Sequence, residues 1–205
     1  LVRYLQNETH SEWLARMDHE IVENERRLNR EIPQRSQGEQ RLFAYPFGEY
    51  NPELVNLVKQ KGYYSIAQQS GAVASPTQDV IPRFPLAGNW ARRERLNTAL
   101  QSQPLPVIRV DAGAMIATPE LAASVLTLTT APGFNLASIG CYNASGTKLA
   151  VNISGKNQIE VTLPRWTPGR QKVNCTAPVG NEPGAYYWYS QLWIIEEKHV
   201  ANRGS

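Results

Sequence analysis

Ten residues bring three elements together: the run Leu42-Phe43-Ala44-Tyr45-Pro46-Phe47-Gly48-Glu49-Tyr50-Asn51 reads as a strand end, an aromatic–proline–aromatic–glycine turn and a helix start. Pro46 stiffens the turn, and Gly48 lets backbone come close to a ligand. Such a turn can aim a backbone N–H at the oxyanion that develops when a carbonyl is attacked. In α/β barrels, the C-terminal end of a strand is where reacting groups gather. A turn that only joins two pieces of scaffold uses the same residue types, so both readings stand at this point.

Other catalytic constellations fail. The three histidines, His10, His19 and His199, lack chelating spacing. An i, i+4 pair on one helix could share a metal; His10 and His19 are too far apart for that. Thr9-His10-Ser11 has the flavour of a metal-binding histidine motif, but the position four beyond His10 is Leu14, so surface histidine is the better reading. There is no CxxC, GxSxG, P-loop or GxGxxG. The two cysteines, Cys141 and Cys175, each lie in a strand-like stretch of the same region. A disulfide between them would imply an oxidising compartment, and two buried thiols are the alternative.

The elements that must hold these residues change character along the chain. Thr9 and Glu12 form a capping-box pattern ahead of Leu14, Met17, Ile21 and Leu28, which predicts a helix ending before Pro33. Gln34 to Gln40 reads as a loop and Arg41–Ala44 as a strand. Asn51 caps a second helix with Pro52 at its first position, Leu54, Leu57 and Val58 as its stripe and Gly62 as its stop. Tyr63–Ala67 is the next strand, and Asn89 is expected to cap a third helix carrying Trp90, Leu96 and Leu100. Strand, helix, strand is the pattern of an α/β unit with parallel strands.

From about Pro104 strand alternation takes over. Leu149, Val151 and Ile153 alternate, as do Ile159, Val161 and Leu163, with turn signals at Pro132-Gly133, Pro168-Gly169 and Pro183-Gly184. That spacing predicts a β-sandwich. The expected boundary puts residues 1–103 in an α/β part and 104–205 in the sandwich, with the linker at Gln101–Pro106. The strand from Ala185 to Ile195 is aromatic on both faces: Tyr187, Tyr189 and Trp193 on one, Tyr186 and Trp188 on the other. Such a strand is either buried on both sides or presents a sugar-stacking platform.

Composition narrows the partners. The chain has 205 residues, 41% hydrophobic and 19% charged, with a net charge of +3. That weak excess, with no basic cluster among aromatics, argues against nucleic acid. No apolar run is long enough for a membrane span. Asn143, Asn152 and Asn174 sit in Asn-x-Ser/Thr triplets, which are too common by chance to establish glycosylation.

The turn and its flanks resemble the third motif of the carbohydrate esterase family 4 polysaccharide deacetylases, commonly Arg-x-Pro-Tyr/Phe-Gly after a strand. The resemblance runs through Phe43 to Pro52 and a helix ending Lys61-Gly62-Tyr63, and extends unevenly through Gln68-Gln69-Ser70-Gly71, Pro82-Arg83-Phe84-Pro85, Asn174-Cys175-Thr176-Ala177-Pro178 and Tyr187-Trp188-Tyr189-Ser190. It implies an α/β plus all-β chain: part of a distorted (β/α) barrel, then a small β-sandwich. It also implies hydrolytic removal of acetyl groups from an acetylated polysaccharide, with a divalent metal, usually zinc, held by one Asp and two His and a second Asp as base. Those ligands belong to motifs that precede the third. The chain is therefore expected to be a fragment that binds no metal itself, is inactive alone, and needs the N-terminal half of the barrel. On this resemblance the Phe47 backbone N–H serves the oxyanion hole, while Tyr45, Pro46, Gly48, Glu49 and Arg83 contact substrate. The family's motif Arg is Ala44 here, so Arg83 is either a substitute for that charge or a surface arginine. The protein is expected to be secreted or periplasmic. The rival expectation is a non-catalytic glycan-binding or adhesion module.

Overall fold

A computed structural model describes residues 2–33, 40–75, 78–88, 91–180 and 182–197. They fall into two compact units, Leu1–Ala67 with Asp79–Ile81, and Gln68–Gln78 with Pro82–Ser205.

The first unit opens with helix α1 (His10–Glu31). Its capping box is complete: Thr9 Oγ1 accepts from Glu12 N, and Glu12 accepts from Thr9 N at 2.8 Å. Trp13, Met17 and Ile21 repeat every fourth residue and are the buried stripe. Trp13 leads that stripe in place of the expected Leu14, and Leu28 lies exposed. Strand β1 (Arg41–Ala44) is followed by helix α2 (Pro52–Gln60) and strand β2 (Tyr63–Ile66). Asn51 Oδ1 caps α2 by accepting from Leu54 N at 2.8 Å. Past its end Gly62 takes φ +76°, a turn that only glycine adopts without strain. Strand β3 (Val80–Ile81) completes a parallel sheet of order β1-β2-β3. Tyr63 ties α1 to this sheet: its Oη donates to Glu25 Oε2 at 2.7 Å and accepts from Arg41 Nη2 at 2.6 Å.

This corrects the barrel expectation. In the first unit the described parallel strands are three, the last of two residues; in the second the longer strands form antiparallel ladders, and parallel pairing there adds only the two-residue strands Gln103–Pro104 and Ile116–Ala117. No described sheet closes on itself. A (β/α) barrel needs a long series of parallel strands. One strand–helix–strand step looks the same in sequence whether or not the series continues, which is why the pattern misled. The predicted loop at 34–40 and the predicted cap Asn89 with Trp90 lie, apart from Gln40, outside the described residues.

The second unit is a two-sheet sandwich. One sheet is antiparallel, in the order β5 (Val107–Asp111), β7 (Val125–Thr130), β10 (Gln158–Thr162), β9 (Val151–Gly155). The other runs β4 (Gln103–Pro104), β12 (Tyr186–Ile195), β11 (Gly169–Pro178), β8 (Gly140–Asn143), with β6 (Ile116–Ala117) also pairing β12. Leu126, Leu128, Ile159 and Val161 from the first sheet share one core with Val173, Cys175, Ala177 and Trp193 from the second. The indole N–H groups of Trp166 and Trp193 donate to the carbonyls of Ala123 (3.1 Å) and Ala112 (2.8 Å), so the core carries no orphaned indole.

The predicted linker at 101–106 is instead part of this unit. β4 pairs with β12, Leu105 N donates to Trp188 O at 3.1 Å, and Leu105 is buried. Packing thus divides the chain near residue 67, not 103, and helix α3 (Arg93–Gln101) counts with the sandwich. Among the described residues, no helix is long and apolar enough to cross a membrane.

Candidate functional site

The proline–glycine corner grows directly from β1. Tyr45 N still donates to Ile66 O at 3.1 Å, extending the ladder by one residue. Pro46–Gly48 then makes one 3₁₀ turn, closed by Gly48 N to Tyr45 O at 2.8 Å and Glu49 N to Pro46 O at 3.2 Å. Inside it Phe47 adopts φ 55°, ψ 6°, the left-handed region, and the residue is 78% exposed. That conformation costs a non-glycine residue about 1–2 kcal/mol. Gly48, also left-handed at φ 69°, is buried beneath it. A strained, exposed aromatic at a strand end is the kind of outlier from which a functional hypothesis starts.

The structure sorts the sequence's site residues. Pro46 and Phe47 are exposed and Glu49 is half-buried at the same corner. Tyr45 is only 2% exposed, so its side chain has almost no surface to offer a substrate. It stacks on Tyr50 (5.0 Å, 30°) and meets Phe43 edge-on (5.4 Å). Burial pushes its phenol up to about 12, only partly countered by the Ser65 hydroxyl, which is committed to the carbonyl of Asp79 at 2.5 Å. No atom among the described residues stands in full hydrogen-bonding geometry to Tyr45 Oη. Ala44 is exposed where the motif arginine would stand. Arg83 is exposed and belongs to the other unit, where its N–H donates to Gln69 O at 2.9 Å.

Metal ligation finds no set. Among the described residues no three His, Cys, Asp or Glu side chains group to hold an ion, so these residues do not fit a metal. His10 Nδ1 is 2.9 Å from Tyr4 Oη and its ring stacks near Trp13, the place of a helix-surface histidine. His199 lies outside the described residues. Cys141 and Cys175 face each other across β8 and β11 and form a disulfide, which fits an oxidising compartment.

The second unit holds an open cleft of about 730 Å³ on the outer face of its five-stranded sheet. Alternation along β11 builds the floor: Val173, Cys175 and Ala177 enter the core, while Lys172, Asn174 and Thr176 line the cleft. β12 divides likewise. Tyr187, Tyr189 and Trp193 pack on the core; Tyr186 and Trp188 line the cleft with Tyr142 of β8. Trp188 meets Phe84 edge-on at 5.2 Å, and its Nε1–H donates to Ser190 Oγ at 3.2 Å. α3 adds Glu94 and Arg95 to the rim.

No family model matches the chain. No curated protein does either. Among solved structures it is similar to CopC from Methylosinus trichosporium OB3b, at 10% identity over 44% of this chain and 91% of that one, with a TM-score of 0.32. A likeness that low carries no argument about fold or ligand.

Sequence reasoning found the aromatic face of β12 but missed the cleft's polar half on β11, Lys172, Asn174 and Thr176. The signal was present: these three alternate strictly with the apolar Val173, Cys175 and Ala177.

Proposed function

We propose that this chain is part of a protein that hydrolytically removes acetyl groups from an N-acetylglucosamine-type polysaccharide. The observation that carries the reading is the corner at 46–48, where Phe47 is held left-handed and exposed at the end of β1. The sequence motif around that corner gives it its chemistry. As a water oxygen bonds to the acetyl carbon, the carbonyl oxygen becomes an oxyanion, and the Phe47 N–H is assigned to it. The C–N bond then breaks, acetate leaves, and the sugar amine takes a proton. Pro46 and Glu49 flank the approach, while Tyr45 acts from below by holding the turn against Tyr50.

In the resembled enzymes a divalent metal, usually zinc, supplies the activated water. The described residues do not fit one, and no step is routed through it here; its ligands are assigned to chain outside these 205 residues. The exposed Leu42 (55%) and Tyr64 (44%), register partners on one face of a parallel sheet, support further chain packing there. Parallel sheets are ordinarily covered on both faces. The disulfide supports a secreted or periplasmic home.

Acetate release from N-acetylglucosamine oligomers tests the reading. The full-length natural protein with zinc is expected to release acetate and free amine in equal amounts, and the 205-residue chain alone neither. No release by the full-length protein sinks the activity, and turnover by the isolated chain sinks its fragment status. A second reading, a non-catalytic glycan-binding or adhesion module, is favoured by the cleft on the sandwich; binding without acetate release would select it.

A further inference from the structure

The cleft on the five-stranded sheet combines flat rings with directional polar groups at the spacing of neighbouring strands. The row Tyr142–Asn174–Ser190 crosses three strands in register, and Thr176–Trp188 is the next pair along. Tyr142 lies down along the sheet. A Cβ placed on Gly140 would meet its Oη at 3.0 Å and its ring at 3.3 Å, so the glycine makes room for a ring presented flat. Tyr186, 39% exposed, offers a second ring at the cleft's edge. Ring faces of this kind suit the C–H face of a pyranose.

The polar floor is pre-set. Ser190 Oγ lies 2.6 Å from Asn174 Oδ1 and also meets the carbonyl of Ser70, but a hydroxyl has one proton. All three groups are satisfied at once if Asn174 turns its NH₂ toward Ser190 and keeps its carbonyl oxygen for the other side. With Trp188 Nε1–H donating to the same hydroxyl, one serine locks both the indole and the amide. Asn143, by contrast, spends its Oδ1 on Ser145 and Thr147 and shapes the rim. Lys172 is half-buried, and no carboxylate among the described residues pairs with it. Burial, with the Arg170 charge adding to it, holds its ammonium below the usual lysine range. A cation kept there at a cost to stability calls for an oxygen-rich occupant.

We propose that this cleft binds an N-acetylated oligosaccharide, with Tyr186 and Tyr142 stacking on sugar rings and Lys172, Asn174 and Thr176 bonding hydroxyl and acetamido oxygens. The choice of an N-acetylated sugar rests on the deacetylase reading; the site itself stands on the cleft. It would hold the polymer on the second unit, whereas the residues assigned to the chemistry belong to the first.

The test is calorimetric titration of the 205-residue chain with the N-acetylglucosamine tetramer, and with the glucose tetramer for comparison. Saturable binding of the acetylated tetramer is expected, several times tighter than of the glucose tetramer. Y186A and K172M should each weaken it by about fivefold or more while the thermal midpoint holds or, for K172M, rises. Absence of saturable binding, or binding indifferent to both Y186A and K172M, overturns the site. Equal binding of the two tetramers overturns the acetyl preference. Binding without acetate release by the full-length protein would leave the cleft standing and remove the deacetylase reading; release without binding would do the reverse.

Discussion

Tyr45 is the residue whose environment makes the sharpest demand. A buried hydroxyl without a partner costs about 1–3 kcal/mol, so Y45F is expected to hold or raise the unfolding free energy, by about 1 kcal/mol in urea titration. The same burial fixes a pH signature. The unfolded phenol ionises near 10, whereas the folded one is pushed up to about 12. Between those values the native state keeps a proton that the unfolded chain has lost. Stability from this group is therefore full below pH 10 and falls as pH rises toward 12. Unfolding measured at pH 9 and pH 11 should show that fall in the wild type and a smaller one in Y45F. The residue types of the corner were legible, but Tyr45's direction was not. The motif reads the same whether the ring points at a groove or, as here, onto Tyr50 and Phe43.

Among the elements, β11 does most to organise the sandwich, since it pairs along its length with β12 and carries half of the disulfide to β8. Bridging residues 34 apart in sequence removes freedom from the unfolded chain worth about 3–4 kcal/mol. The double variant C141A/C175A is expected to lower the unfolding free energy by about that amount. A loss below about 1 kcal/mol would mean that packing alone holds β8. Local signals made most elements readable: the Thr9–Glu12 box, the Asn51-Pro52 start and the alternation of Ile159, Val161 and Leu163 all act within a few residues. Long-range pairing was not readable. Gln103-Pro104 looks like a linker because Pro cannot donate to a ladder, yet it is tolerated as an edge strand beside β12. The sequence likewise could not count parallel strands, and the expected barrel gave way to a three-stranded sheet.

For the molecule as a whole, the two proposals give the two units different parts of one task. The first carries the strained corner, and the second carries a cleft with rings and a locked polar floor. Their chain segments interleave, because β3 returns to the first unit after residues 68–78 have joined the second. Truncation at 103/104 would therefore cut through a folded unit, separating helix α3 from the sandwich and splitting β4 between its two residues. On the proposed function, the corner at 46–48 is where an acetyl group is attacked. Its most direct test is the rate of acetate release by G48A in the full-length natural protein. A methyl group at φ 69° strains the turn and shifts the Phe47 N–H, and small displacements of a reacting geometry cost large factors in rate. The expected result is a fall in kcat of about tenfold or more, with KM within about threefold and the protein still folded. An unchanged kcat would contradict the account.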